Sequence, residues 1–330
     1  MTDSHPDYQW GQLSVETAPK GADLLNLLAR VDNTDEFLDV EDLIEDLGSA
    51  AFDATQDSWA VWCGQEMVGI GQVFVPEALS NEGLARAHLF GGIHPSYRGR
   101  GLGRDLLLRQ EQRAVALAQE RHPEQPIMLY VDGGVPGAAV RPLLTHRGYD
   151  VARYFAHMVR PISAGPVVSR RGLPGGVTLL TPTLSMSERL RQVHNLAFED
   201  HWGSGPRTEQ SWRETQESRS QRPQFSTVAV DAAGEPLSYV WAAQWVEREL
   251  YIEAVGTVPS ARHQGLAGAC LTRTLDLAAS SGEYDQVDLG VDSASPTGAT
   301  RLYEQLGFHV DRTFALYSRP AADSAIRAGV

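Results

Sequence analysis

Two segments of this chain carry the residue types of an anion cradle. Both fit the spacing Arg-x-x-Gly-x-Gly/Ala, with their arginines 164 residues apart (262 minus 98). The first reads Ile93-His94-Pro95-Ser96-Tyr97-Arg98-Gly99-Arg100-Gly101-Leu102-Gly103, the second Thr257-Val258-Pro259-Ser260-Ala261-Arg262-His263-Gln264-Gly265-Leu266-Ala267. Each follows a strand-like run and opens an amphipathic helical pattern. Glycine allows a sharp turn that presents successive backbone N–H groups, and a helix start adds its own unpaired ones. Such a surface suits a pyrophosphate. Its occurrence twice predicts a duplicated domain with two cradles.

The elements that must position these loops repeat in the same order. In the first half, 23–30 and 35–48 read as helices, with Val40, Leu43, Ile44 and Leu47 at the spacing of a helix face. Runs 58–62 and 67–75 read as strands about a Gly64-Gln65 turn, and 86–94 as a third. The first loop and a helix over 102–121 follow, then a strand at 127–131, a helix at 138–146 and a last strand at 149–159. Residues 161–176 hold three prolines and four glycines, which reads as a linker. The second half has helices at 187–198 and 209–218, then strands at 225–230, 236–245 and 249–257. The second loop leads into a helix to about 280, then a strand at 286–291, a helix at 298–306 and a strand at 308–317. The residues from Pro320 onward read as a frayed tail. This order predicts a mixed α/β (α+β) sheet in each half. A dinucleotide-binding fold would place its glycine loop after the first strand, and here it comes after the third or fourth.

The composition bounds the function. At 330 residues the chain should form about two domains, each large enough for its own core. The net charge of −14 argues against nonspecific nucleic-acid binding and suits a cationic amine partner. Cys63 and Cys270, the two cysteines, have no metal-ligand or redox partner nearby and are expected as buried thiols, with no metal site. The N-terminus lacks a basic and apolar signal pattern, and no stretch approaches ~18 apolar residues, so a cytoplasmic location without membrane partners is expected.

With loop, helix and strand order in place, each half resembles the GNAT superfamily of acyl-CoA-dependent N-acyltransferases. The whole is similar to tandem-domain GNAT proteins, the arrangement of mycothiol synthase. The resemblance covers about 10–160 and 176–320 and rests most on the first loop and on Ala299-Thr300-Arg301-Leu302-Tyr303-Glu304-Gln305-Leu306-Gly307-Phe308. A further piece, Val193 to Gly203, resembles the region that lines the acceptor side in second domains of tandem GNAT proteins.

The resemblance implies two tandem domains. A non-catalytic first domain would span 1–160, a linker 161–175, a catalytic second domain 176–320 and a tail 321–330. It implies acetyl-CoA as cofactor, a primary amine of a small molecule as acceptor, and direct transfer in a ternary complex. Monomer and homodimer stay open. The pyrophosphate is assigned to the backbone N–H groups of Arg262, His263, Gln264, Gly265, Leu266 and Ala267. Thr257 and Val258 are expected to pair with the pantetheine arm through their backbone. Ile93, Arg98, Gly99, Arg100, Gly101, Leu102 and Gly103 are the first-domain counterparts. Tyr303 falls where the family places the general acid that protonates the leaving thiolate, the alternative being a core tyrosine. Glu253, by strand alternation on the face of Tyr251 and Val255, is the candidate to relay the amine's proton; the alternative is a structural carboxylate. His194, Asp200 and His201 are candidates for the acceptor pocket, or for capping and core roles, and Trp202 for packing or a pocket wall.

Two departures matter. Aligning Arg147-Gly148-Tyr149 with Leu306-Gly307-Phe308 puts Leu144 opposite Tyr303, so the first domain lacks the acid. Ser295 stands where an asparagine often contacts CoA. The rival to an acetyltransferase is a non-catalytic CoA-binding sensor. A nucleotide-binding module is disfavoured because no Lys-Ser/Thr follows either loop.

Overall fold

The structure, a computed structural model, describes residues 8–165, 172–295 and 298–321. The expected tail, from residue 322 onward, and residues 166–171 of the expected linker lie outside that range.

The first half forms β1 (Tyr8–Gly11), α1 (Ala18–Asp32), α2 (Val40–Leu47), α3 (Ala54–Asp57), β2 (Ser58–Cys63), β3 (Glu66–Phe74), β4 (Ala85–Ile93), α4 (Leu102–Arg121), β5 (Ile127–Asp132), α5 (Arg141–His146) and β6 (Asp150–Pro161). The second half forms β7 (Thr178–Leu180), α6 (Ser187–Ala197), α7 (Glu209–Glu217), β8 (Thr227–Val230), β9 (Pro236–Ala243), β10 (Glu249–Thr257), α8 (Leu266–Ser281), β11 (Gln286–Asp292), α9 (Ala299–Gln305) and β12 (His309–Pro320). The short elements β1, α3 and β7 go beyond the sequence reading. They are three or four residues long, too short to show a period.

The chain divides into two compact units. One is Met1–Ala152 with Ala315–Val330, the other Arg153–Phe314. The expected boundary at residue 160 is therefore redrawn. From Phe155 to Pro161, β6 pairs antiparallel with β11 of the second unit. The end of β12, Leu316–Pro320, pairs antiparallel with β5 of the first unit. Each unit thus takes its last strand from the other half of the sequence.

In the first unit the strands run β1-β2-β3-β4-β5 and then the end of β12, with β4 and β5 parallel. Side chains alternate across this sheet. Ala60 and Ile70 face α1 with Leu24 and Leu28, while Val61 and Val68 face Leu102 and Leu106 of α4. The second unit runs β7-β8-β9-β10-β11 and then β6, with β10 and β11 parallel. Its core packs Leu190 and Val193 of α6 together with Leu266, Cys270 and Leu271 of α8. Full burial of a leucine such as Leu266 contributes about 1.5–3 kcal/mol. Cys270 is buried as expected, whereas Cys63, near the end of an edge-side strand, is only half-buried.

The parallel pair opens at the same place in both units. Pairing of β10 with β11 ends at Ile252 and Leu289, and pairing of β4 with β5 ends at Leu89 and Val131. Beyond those points, among the described residues, the facing edges of β10 and β4 have no ladder partner on that side. The glycine loops begin four to five residues farther on.

Candidate active site

The two loops have the same backbone, residue for residue. Val258 and His94 start each turn at φ −55° and −47°, and Arg262 and Arg98 leave it at φ −63° and −66°. Gly265 and Gly101 sit at φ +83° and +88°, a left-handed conformation that L side chains avoid. His263 stands where the first loop has Gly99, at φ +65° against +76°. The helix that follows starts with N–H groups that have no intrahelical acceptor. The first bond into it runs from the Ala269 N–H to the Gly265 carbonyl at 3.0 Å, matched by Asp105 to Gly101 at 3.1 Å. In the first loop a Cβ built on Gly99 would meet nothing within 4 Å.

The arginines of the loops face inward. Arg262 grips Asp200 with both outer nitrogens at 2.5 and 2.9 Å and reaches the Ala197 carbonyl at 3.0 Å. Arg98 grips Asp32 at 2.7 and 2.6 Å and the Ile93 carbonyl at 3.0 Å. The bond from Arg262 holds the Asp200 carboxyl below its ordinary range. Each arginine thus ties its loop to the end of an earlier helix. The Arg262 N–H bonds the Pro259 carbonyl at 3.3 Å, which takes it out of the cradle expected for it. Asp200 is correspondingly placed as the arginine's partner.

Val258 is likewise committed. Its N–H donates to the Leu237 carbonyl and its carbonyl accepts from Ala261, both at 2.9 Å. Backbone groups alternate along a strand. With Val258 turned toward β9, Thr257 and Val255 present theirs to the opened side. His94 repeats the pattern with Val68, at 2.9 Å, leaving Ile93 in the position of Thr257. Leu266 and Leu102 are buried, so only their backbone faces outward. Arg100 stacks over Tyr97 and donates to the Ser96 carbonyl at 3.0 Å, and Gln264 reaches the Ser260 carbonyl at 3.4 Å. Ala267 and Gly103 lie in the first turns of α8 and α4. Ser295 donates its N–H to the Asp292 carbonyl at 3.0 Å, in the turn after β11.

Glu253 occupies an irregularity. The β9–β10 register shifts between Ile252 and Ala254, so Glu253 is the extra residue of a bulge and strict alternation does not set its direction. Its Oε2 accepts from Gln221 Nε2 at 2.7 Å. Burial raises its proton affinity, while the Gln221 bond and the Arg207 guanidinium oppose that rise. His194 stacks on Phe198 and lies 2.6 Å from the Tyr239 hydroxyl through Nδ1. Burial, aided by Arg207, pushes its pKa down to about 4, so it is neutral at physiological pH. The Tyr239 ring fills the space over Gly256 and leaves no room for a Cβ there. His201 Nδ1 is 3.1 Å from both the Trp202 carbonyl and the Ser204 hydroxyl. Trp202 carries the Arg153 guanidinium over its ring at 4.8 Å.

Tyr303 is buried on α9, edge-on to Phe308. Burial first, and then Tyr251, push its pKa up to about 12. Tyr251 precedes Glu253 by two residues on β10, so phenol and carboxylate belong to one strand neighbourhood. In the first unit the matching positions are apolar. Leu144 replaces Tyr303, and Leu89, at the same offset from the loop as Glu253, is buried in the core. Gln221 was missed from sequence. It lies in the irregular segment between α7 and β8, where no periodicity exposes a partner.

A family model described as the acetyltransferase (GNAT) family matches residues 187–308. The mycothiol acetyltransferase of Thermobispora bispora is 33% identical over 229 residues, covering 66% of this chain and 70% of that protein. That of Salinispora arenicola is 31% identical over 228 residues, 66% of this chain and 67% of that one. The chain belongs to the GNAT acetyltransferase family. It is a tandem-domain N-acetyltransferase of that family. A GCN5-related N-acetyltransferase from Sphaerobacter thermophilus shares the fold at a TM-score of 0.75, with 21% identity over 95% of this chain and 96% of that one. A tandem GNAT protein from the clavulanic acid biosynthesis pathway does so at 0.67, with 16% identity over 96% of this chain and 99% of that one. Among the described residues, no helix is long and apolar enough to cross a membrane.

Proposed function

We propose that the second unit transfers the acetyl group of acetyl-CoA to a primary amine of a small molecule, by direct attack in a ternary complex. One observation carries this reading. The opened β10–β11 pair, the cradle of α8, Glu253 and Tyr303 belong to one unit, and the other unit repeats the cradle with leucine at both titratable positions.

The cofactor suits the residues present. The N–H groups at the start of α8, opened by the left-handed turn at Gly265, favour a pyrophosphate. Thr257 and Val255 offer backbone groups to an extended amide-bearing arm; this replaces the role first expected of Val258. Acetyl-CoA, when bound, supplies an acetyl group activated as a thioester. Glu253, its proton affinity raised by burial, takes a proton from the acceptor's ammonium, directly or through water, and leaves a neutral amine. Tyr303, near 12, keeps its proton through neutral pH and offers it to a thiolate of pKa ~8.5 as that charge develops. His194 and His201, beside Trp212 and Phe198, line the acceptor side in this reading. The name shared by the mycothiol acetyltransferases supports a small acceptor. The non-catalytic alternative is kept for the first unit alone, whose cradle holds CoA without transfer.

The test is a panel of primary amines incubated with acetyl-CoA, read by released CoA thiol and by product mass, with calorimetry for acetyl-CoA binding. At least one N-acetylated product is expected. Tight acetyl-CoA binding with no amine acetylated across the panel would overturn the acceptor class.

A further inference from the structure

Gln221 is a glutamine buried for no evident structural return. It is 9% exposed, and its Oε1 is sealed from solvent without a hydrogen-bond partner among the described residues. Burying an amide oxygen unsatisfied costs about 1–3 kcal/mol. Its side-chain N–H donates to Glu253 Oε2 at 2.7 Å.

The surrounding chain is built to hold that bond. Gln221 bridges to Ala243 at the end of β9, and flanking bonds run from the Arg222 N–H to the Ala242 carbonyl at 2.9 Å and from the Gln244 N–H to the Ser220 carbonyl at 2.7 Å. Arg222 then clamps the turn from within. Its guanidinium reaches the carbonyls of Arg219, Ser220 and Gln221 at 2.8, 3.1 and 2.9 Å and Gln244 Oε1 at 3.0 Å. To reach Glu253 on β10, the Gln221 side chain must pass β9 where its residues are Ala242 and Ala243, fully buried and small. The carboxylate it meets is the extra residue of a bulge, which the sheet ladder does not orient.

We propose that Gln221 is the positioning residue of Glu253: from a turn locked to β9, its side-chain N–H fixes one carboxylate oxygen and leaves the other to the acceptor amine. This rests on Glu253 being the proton acceptor. The bond also acts on proton affinity, because a donor to a carboxylate favours the charged form and so counters burial. The other groups that bear on Glu253 are Arg207, from the segment before α7, and Tyr239, from β9, with His194 of α6 behind that phenol. On β11, Asp288 is committed to His157 and Asp292 to Arg153 and the Ala294 N–H; α8 contributes apolar residues such as Leu266 and Cys270.

The test reads the carboxyl itself in the full chain. Glutamate labelled with carbon-13 at its carboxyl is titrated by NMR, with Glu253→Gln assigning the resonance. Gln221→Leu removes the donor and should raise the Glu253 midpoint by about one pH unit. Gln221→Glu keeps the shape and adds a second carboxyl, so it should raise the midpoint further. The acid limb of kcat/KM, measured with the best amine of the panel, should move in the same order, while acetyl-CoA affinity stays unchanged. In the Glu253→Gln background, Gln221→Leu should have no further effect on kcat. A midpoint identical in wild type and both variants overturns the proposal, as does an equal loss of kcat at every pH with or without Glu253. If the midpoints move but Glu253→Gln keeps wild-type turnover, the positioning stands and the proton-acceptor reading of Glu253 fails.

Discussion

Tyr303 and Leu144 make the sharpest contrast in the molecule. Both are buried on the short helix before the closing glycine of their unit, and only one carries a proton. Tyr303→Phe keeps the ring and removes the acid. Turnover of an acetylated amine should fall by about 10²–10⁴-fold, with acetyl-CoA affinity nearly unchanged in calorimetry. A loss of affinity as large as the loss of turnover would make Tyr303 a packing residue. The histidines give a second, pH-dependent expectation. His88 in the first unit, stacked between Phe90 and Tyr130, is pushed down to about 4 by burial and by Arg86. An unfolded imidazole titrates near ~6.5, so between those values the unfolded chain binds more protons and stability rises with pH. Stability is therefore lost as pH falls from about 6.5 toward 4. His88→Phe keeps a stacked ring without the titration. Its melting temperature should fall less than that of wild type across that window and match it near neutrality.

The loops were readable from sequence because their signal is local: arginine, glycine and a helix start lie within eleven residues, and each glycine answers to its own backbone angle. The roles of the neighbouring side chains were not readable in that way. Arg262 and Asp200 are 62 residues apart in sequence, and nothing local says that the guanidinium turns inward to a carboxylate. The bulge at Glu253 and the turn that brings in Gln221 are likewise products of the sheet. Two expectations follow from the loops. Gly265→Glu places a carboxylate at the start of the cradle, on a residue held at φ +83°, so it should weaken acetyl-CoA binding at the second site by charge and by obstruction. Gly101→Glu should leave turnover largely intact, and equal loss from both variants would give the first cradle a part in catalysis. His263 meanwhile holds φ +65°, which costs a non-glycine residue about 1–2 kcal/mol. His263→Gly, copying the first loop, should raise the melting temperature by a few degrees. An unchanged or lower value would show that the imidazole's own contacts outweigh its backbone strain.

The exchange of closing strands was the part of the fold that local patterns hid. Residues 149–159 and 308–317 read correctly as strands, yet strand periodicity says which residues alternate and nothing about which sheet receives them. Similar repeats make the ambiguity complete, since each closing strand is shaped for a sheet of the same design. The consequence is that neither half of the sequence contains a finished unit. The first unit needs Ala315 and Tyr317 in its core. It also needs Arg319, which reaches Glu111 Oε1 at 3.1 Å and stacks on Tyr149. Glu111 is 5% exposed and also pairs with Arg147, so the loss of one arginine leaves a buried carboxylate under-compensated. A chain ending at residue 314 should therefore lose the first unit, with the edge of β5 open to association with other chains. Residues 1–165 alone lack the same strand and should fail in the same way. Residues 166–330 alone lack β6, with His157 bonded to Asp288 at 2.9 Å and Arg160 to the Leu306 carbonyl at 2.7 Å. Both halves, made separately, should show broad or absent thermal transitions and should aggregate, whereas the full chain melts cooperatively. Mixing the two halves under refolding conditions should restore the transition, because the missing strands are then present on the partner fragment. Two halves that each melt sharply on their own would mean that the closing strands return to their own sequence half, and would restore the boundary at residue 160.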